Sequence, residues 1–526
     1  MQREARDAPD VSEAARRRIV AVLMLVYLLN VLDRQILSIL NERIKADLGL
    51  ADAQMAFLFG TAFAVFHAIF GLPLARLADV WVRKNLIAIG LASWSVLTAL
   101  SGLATGFGQL AALRIGIGIG EATSTPASYS ILSDYFPPRR RATAIAFFAS
   151  GAMLGAGAGL VVGGAVVSGW DAAFAGGGAP GGLVGWRAAF LVVGLPGFLL
   201  ALVVRRLREP VRGESEGLPA PDEPRPFRAF LFELRAVVPP FTAWHLAALG
   251  AGRRGVASNL GAAAAVAGGA WALVAATGDL AQWTALGLGV YVAISWMQAL
   301  RLRDAPAAAL VFRTRSLRLG CVGFACVAML TNSFNYWTAP LLMREFGASP
   351  ATVGVALGPI LIAMGWLGVT SGGWLADAWK RRSPVGRLGV GVVSALGSVP
   401  CAAALLLAPD LPRALVATAG LQFFAALWIG VGPTLIQESV LPRVRATAAS
   451  FYGIVFTFMG YALGPYLVGR LSDAIGDLRT ALAWMLCASG AAVVLLLLAM
   501  RHVATDETTL LARARAAGEL LPARAA

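Results

Sequence analysis

The 526-residue chain is 58% hydrophobic and 14% charged, against about 25% charged residues in a soluble domain, and this excludes a soluble globular protein. Repeated apolar runs of about 20 residues and a mean hydropathy of +0.71 point to membrane-spanning helices rather than a barrel. The net charge of +15 does not imply a nucleic-acid partner, because the basic residues crowd the loops between apolar runs, where the positive-inside bias places them.

Residues 1–18 are charged, lack a cleavable signal pattern and read as an N-terminal tail. Spans follow near 19–40, 54–75, 85–104, 107–130, 141–168 and 186–205, so that 19–205 forms a six-helix half, and the first span serves as an uncleaved signal anchor. A central linker, 206–316, begins with a Pro-rich polar stretch and holds two further apolar runs near 258–277 and 281–300. Six more spans, near 317–340, 351–375, 386–408, 412–436, 444–469 and 480–500, make a second half over 317–500, before a tail at 501–526. The fold class is therefore an all-α polytopic membrane protein of about 14 spans, arranged as six, two and six. Cys321, Cys326, Cys401 and Cys487 lie in apolar runs without CxxC spacing or nearby histidine, and read as core residues.

Basic residues mark one side of the membrane: Arg16, Arg17 and Arg18; Arg76, Arg83 and Lys84; Arg139, Arg140 and Arg141; Arg205, Arg206 and Arg208; then Lys380, Arg381, Arg382, Arg443 and Arg445. By the positive-inside rule both termini are cytoplasmic, and the protein belongs in a cell (inner) membrane. Arg43 and Lys45 are an exception on the opposite side, among Glu42, Asp47 and Asp52. The two halves repeat. PPRRRATAIAFF at 137–148 matches LPRVRATAASFY at 441–452, and ARLADVWVRK at 75–84 matches GWLADAWKRR at 373–382.

The first span carries Asn30, Asp33 and Arg34 at a depth where a charge costs ~2.5–3.5 kcal/mol on insertion scales. Tyr27, Asn30, Arg34 and Ser38 share one helical stripe, with Asp33 at its flank. The fourth span holds Arg114 and Glu121 two turns apart on one face, with glycines between them. At 1.5 Å per residue, Asp33 and Arg114 come to the same level and Glu121 lies roughly 10 Å deeper. Asp33 is therefore expected to pair with Arg114 in at least one state, leaving Glu121 as the unpaired carboxyl. Such a cluster suits proton coupling at Glu121 and Asp33, with a static ion-pair network as the plainer alternative.

In the second half Asn332, Asn335 and Tyr336 share a face, either lining a cavity opposite the first span or bonding between helices. Arg34, Arg114, Asn30 and Tyr27 complete the substrate-binding candidates. Asp79, Arg83 and Lys84, repeated as Asp377 and Arg381, form a candidate gating latch at the basic-loop end, or simply a helix cap. Glycines 151, 155, 159, 163 and 164 in the fifth span suit either tight packing or an antiporter-type motif. His67 reads as a hydrogen-bonded filler. With no metal cluster, nucleophile elbow or phosphate loop, neither an enzyme, a metal nor a cofactor is expected.

The segments DRQILSIL, GIGEA and SDYFPPRRRATA resemble the bacterial branch of the Spinster family of major facilitators, most closely between Asn30 and Gly164 and again at 370–382 and 440–470. The resemblance implies a monomeric secondary transporter of a lipid-like amphiphile, a lysophospholipid or sphingoid phosphate, coupled to protons, with Asp33, Arg34, Arg114 and Glu121 in the site. First-span Asp-Arg and fourth-span Gly-Glu-Ala also occur in organic anion symporters. Rival readings are thus a sugar-acid proton symporter, a drug/proton antiporter, or a non-transporting receptor. Two departures stand out: His67 replaces a tyrosine of the family pattern, and the insert at about 226–305 is foreign to twelve-span members. The inserted helices are expected to pack peripherally.

Overall fold

The computed structural model describes residues 12–212 and 224–519; the ends of both predicted tails and residues 213–223 of the polar linker lie outside the described residues. The first half runs α1 (Glu13–Leu48), α2 (Asp52–Phe59), α3 (Thr61–Val80), α4 (Arg83–Ser101), α5 (Phe107–Glu121), α6 (Ser124–Tyr135), α7 (Pro138–Ala173) and α8 (Gly185–Arg205). The linker region gives α9 (Pro226–Val237), α10 (Phe241–Ala248), α11 (Gly252–Thr277), α12 (Leu280–Arg303) and α13 (Ala305–Arg313). The second half runs α14 (Arg315–Phe346), α15 (Pro350–Lys380), α16 (Gly386–Leu406), α17 (Leu411–Ala426), α18 (Val431–Glu438), α19 (Arg445–Val455), α20 (Gly464–Ile475), α21 (Leu478–Trp484), α22 (Leu486–Thr508) and α23 (Leu510–Ala516).

Among the described residues, 13 helices are long and apolar enough to cross a membrane. The crossing expected at 107–130 is not among them, because it is broken into α5 and α6. Pro126 lacks an N–H and its ring crowds the carbonyl of Ala122, four residues back. The hydroxyls of Thr123 and Ser124 donate to the Gly120 and Glu121 carbonyls, at 2.8 and 3.1 Å. The break thus falls directly after Glu121 and frees it from a regular helical neighbourhood. Another span, from α19 to α20, passes through a π-helical segment at Phe456–Leu463.

The insert is less peripheral than expected. α11 stands outside the bundle. α12 wedges between α3 and the π-helical segment, so that a Cβ at Gly289 would lie 2.8 Å from both Phe458 and Val65. Thr61 of α3 donates to Gln282 at 2.7 Å, and Tyr466 of α20 donates to Asp279 at 2.6 Å. The insert therefore touches both halves. Buried Asn259 ties α11 to α12 by donating to Ser295 and Gln298 at 2.7 and 2.8 Å. At the other end of the chain, residues 501–516 are largely helical rather than a loose tail: the Ser316 amide donates to Asp506 at 2.8 Å, and Arg513 donates to Thr314 at 2.5 Å.

The halves close on each other at the end away from the basic loops. Arg344 of α14 meets Glu42 of α1 and Asp52 of α2, each at 2.7 Å. Asp52 also takes Lys45 at 2.6 Å and Ser472 at 2.7 Å, and Asp473 accepts the Asp52 and Ala53 amides at 2.9 and 2.8 Å. Beside this network α7 and α15 touch through backbone: a Cβ at Gly157 would lie 2.4 Å from the Gly358 carbonyl oxygen, and one at Gly164 2.3 Å from that of Pro350. At the basic-loop end, none of the hydrogen bonds or ion pairs between described residues joins one half to the other.

Candidate functional site

Helical side chains lean toward their own N-terminus. α1 and α5 run in opposite directions, so Arg34 and Glu121 lean toward each other, while Asp33 and Arg114 lean apart. The structure follows this rule and corrects the pairing expected from depth alone. The Arg34 guanidinium lies 3.3 Å from the Glu121 carboxylate, and it also donates to the Asn30 side chain. The Asp33 carboxylate instead accepts from Thr98 of α4 at 3.2 Å. Arg114 donates to backbone, to the Leu58 carbonyl at 3.2 Å and to the Asp33 carbonyl at 3.4 Å. Glu121 is therefore the paired carboxylate and Asp33 the one held by a hydroxyl.

Phe63 of α3 joins the cluster, with the guanidinium carbons of Arg34 and Arg114 at 5.0 and 5.6 Å from its ring centroid. Cation–π contacts of this kind gain strength where water is excluded. His67 stacks on Phe63 and faces the Gly118 carbonyl at 3.2 Å, as a hydrogen-bonded filler would. The four charges differ sharply in access. The side chain of Arg34 is 19% exposed and that of Glu121 0%; Arg114 and Asp33 are 0% and 2% exposed. Tyr27 continues the Arg34 stripe and stacks on Phe148 at 4.9 Å, with Tyr129 edge-on to the same ring. Arg34 is thus the accessible charge beside an aromatic wall.

The second-half candidates do not gather around Arg34. Tyr336 is fully buried in the closed seam, where its hydroxyl donates to Asn41 at 2.8 Å and its carbonyl accepts from Ser38 at 2.5 Å. The Asn335 carbonyl accepts from Gln35 at 3.2 Å, and Asn332 donates to its own helix at Ala328. These residues join or abut the seam between α1 and α14, because the halves are closed at their level.

The latch residues are also redistributed. Buried Arg83 pairs with Asp134 at the end of α6 and lies 2.8 Å from Glu209, while Lys84 donates to the Leu207 carbonyl at 2.7 Å. Asp79 is exposed, near Arg76, Arg212 and Arg83. In the second half the counterpart of Arg83 is Arg387, not Arg381. Arg387 lies 2.6 Å from Glu438 and 3.1 Å from Asp377, whereas Arg381 is exposed. Arg83 to Arg387 and Asp134 to Glu438 are both steps of 304 residues, the offset of the PPRRRATA repeat. The Asp79 repeat has an offset of 298, because the second copy carries six extra residues before its arginine. The repeat offset was therefore the signal that would have found Arg387. Thr98 and Phe63 carry no such signal, since neither type is unusual in an apolar span. The glycines of α7 pack tightly: a Cβ at Gly151 or Gly155 would lie 2.6 or 2.3 Å from α1 carbonyl oxygens.

Two six-helix halves, a charge cluster in the first half and a seal at one end define a multi-pass membrane transporter rather than an enzyme. Residues 23–252 match the Major Facilitator Superfamily description. The chain is 28% identical over 486 residues to an MFS-type efflux pump of Mycolicibacterium smegmatis, covering 92% of this chain and 90% of that one. It is 38% identical to a probable galactarate/D-glucarate transporter of Bacillus subtilis, over 139 residues that make up 25% of this chain and 30% of the relative. Among solved structures it is similar to a bacterial homolog to the human lysosomal transporter Spinster, in an inward-facing and unoccupied conformation. That likeness has a TM-score of 0.67 at 25% identity and covers 97% of this chain and 100% of the other. The match places residues 23–252 with the major facilitator superfamily, and over most of its length the chain is similar to Spinster-like members.

Proposed function

We propose that the protein moves a lipid-like amphiphile, of the lysophospholipid or sphingoid phosphate class, across the cell (inner) membrane by alternating access coupled to protons. The observation that carries this reading is the access pattern around Arg34: one partly open guanidinium against an aromatic wall, with its counter-ion Glu121 sealed behind it. An anionic headgroup that takes Arg34 competes with Glu121 for the same guanidinium. A buried carboxylate deprived of its counter-ion is neutralised by a proton. Headgroup and proton then occupy the site together, with Asp33 tuning the cluster through Arg114 and Thr98. The tail of the substrate lies along apolar and aromatic wall, with Tyr27 and Asn30 at the head end.

The basic loops support a cytoplasmic position for both termini. The closed end then faces outward and the state described is inward-facing, with the Asp79, Arg83, Lys84 and Asp377 region bracing each half on the cytoplasmic side rather than latching the two together. A small sugar acid would want several converging arginines from both halves, and the second half has no basic residue in mid-span.

The test is transport in proteoliposomes with and without an imposed pH gradient. The parent is expected to accumulate a lysophospholipid in response to the gradient, and Glu121→Gln to lose that response. A Glu121→Gln variant that follows the gradient like the parent would sink the coupling, and uptake of sugar acids alone would sink the amphiphile.

A further inference from the structure

We propose that the cleft between the inserted helix α12 and α2, α3 and α5, at the end away from the basic loops, holds one chain of a bilayer phospholipid, whose ester carbonyl accepts from Gln282. The cleft encloses about 650 Å³. α2, α5 and α12 all start at that end. Gln54, Asp279, Gln282 and Thr284 stand at the rim, near those starts, and Phe66, Ile115 and Leu288 line the depth. Ile115 and Leu288 each lie eight residues past the first residue of their helix, roughly 12 Å along its axis. Phe57 and Phe107, with ring centroids 5.6 Å apart, form the wall between. Polar at the rim and apolar below is the profile of a lipid seated with its esters outward and its chain inward.

Gln282 supplies the specific contact. It is 1% exposed, and its Oε1 accepts from Thr61 at 2.7 Å, which fixes the amide. Its Nε2 has no acceptor among the described residues. A buried donor without an acceptor is costly at bilayer depth, where water does not serve, and the acceptors that lipid brings to this level are ester carbonyls. The charge at the rim is already spent: Asp279 accepts from Tyr466 at 2.6 Å and lies 3.5 Å from Arg470, so the headgroup is not selected by charge. The chain outside the described residues joins α1, α8, α9 and α23 at the basic-loop end, on the far side of the membrane from this cleft. The cleft shares no lining residue with the Arg34 cluster and does not rest on the identity of the transported substrate.

The experiment is native mass spectrometry of the full-length protein released from micelles that contain dioleoylphosphatidylcholine or its diether analogue, which keeps the chains and headgroup but lacks the ester carbonyls. The parent is expected to retain the diester about fivefold better than the diether, the size of one neutral hydrogen bond. Ala111→Trp fills the cleft and should lose the bound lipid. Ala112→Trp adds the same bulk at the neighbouring exposed position, outside the cleft, and should keep it. Gln282→Met preserves the length of the side chain without the amide, and should hold the two lipids alike. The site is overturned by equal retention of diester and diether in the parent, by an undiminished adduct in Ala111→Trp, by a loss just as large in Ala112→Trp, or by lipid found on dimers alone, which would make the cleft a contact between copies.

Discussion

The two ends of the bundle hold charge in different ways. At the closed end Arg344 belongs to one half and its carboxylates, Glu42 and Asp52, to the other. At the basic-loop end Arg83 and Arg387 each find their carboxylates within their own half or its adjoining linker. The first arrangement exists only while the halves touch, so under the alternating access proposed above it bears on the balance between conformations. The second is independent of that contact, so it stiffens each half separately. The lesson is that an ion pair informs on switching only when its partners sit on different moving parts.

The largest effect on this contrast is expected from Arg344→Ala. It strips a guanidinium from Asp52, which is only 2% exposed, and breaking a buried pair costs about 3–5 kcal/mol; the remaining Lys45 keeps the loss at the lower end of that range. In a cysteine-free background, spin labels at Leu103→Cys and Leu407→Cys, exposed on closed-end loops of opposite halves, should move apart. An unchanged distance would mean that helix packing alone holds the seal. Gly157→Val should shift the same labels less, because crowding in a packed interface costs typically 1–3 kcal/mol, here against the Gly358 carbonyl.

Arg387→Gln should lower thermal stability by about 1 kcal/mol, its partners being partly exposed, while leaving the label distance alone. Arg381→Gln should change neither. A shift in label distance with Arg387→Gln would erase the distinction between the two ends. The smallest effect is expected at Arg443, which lies 2.5 Å from Asp304 and also pairs with Glu519. Its hydrogen bonds hold both carboxyls below their ordinary values. Groups lowered by folding add stability above the unfolded values near pH 4 and lose it as pH falls through the folded ones. Resistance of α23 to proteolysis should therefore fall below about pH 4 in the parent, and Arg443→Gln should flatten that dependence. A variant with the parent's acid profile would show that Arg443 does not anchor the segment.

The fold was legible because hydropathy, loop charge and internal repeat are each written in residue types. The charge cluster was legible as membership, since a charge in an apolar span is conspicuous. It was not legible as pairing: depth along a helix gives the level of a Cα, while a long side chain leaning a turn away decides who meets whom. Arg34 and Glu121 are the case in point. The exceptional charges near Arg43 and Lys45 find their reason only in three dimensions, where Lys45 meets Asp52 at 2.6 Å and Arg43 meets Asp171 at 3.4 Å.

The wedge made by α12 has a consequence for routes through the bilayer. A guest arriving sideways from the lipid meets two seams between the halves. One runs between α3 and the π-helical segment, and α12 fills it around Gly289. The other runs between α7 and α15, which meet backbone to backbone at Gly157, Gly164 and Gly354. The insert thus covers one of the two seams and leaves the other to the backbone contacts of α7 and α15 alone.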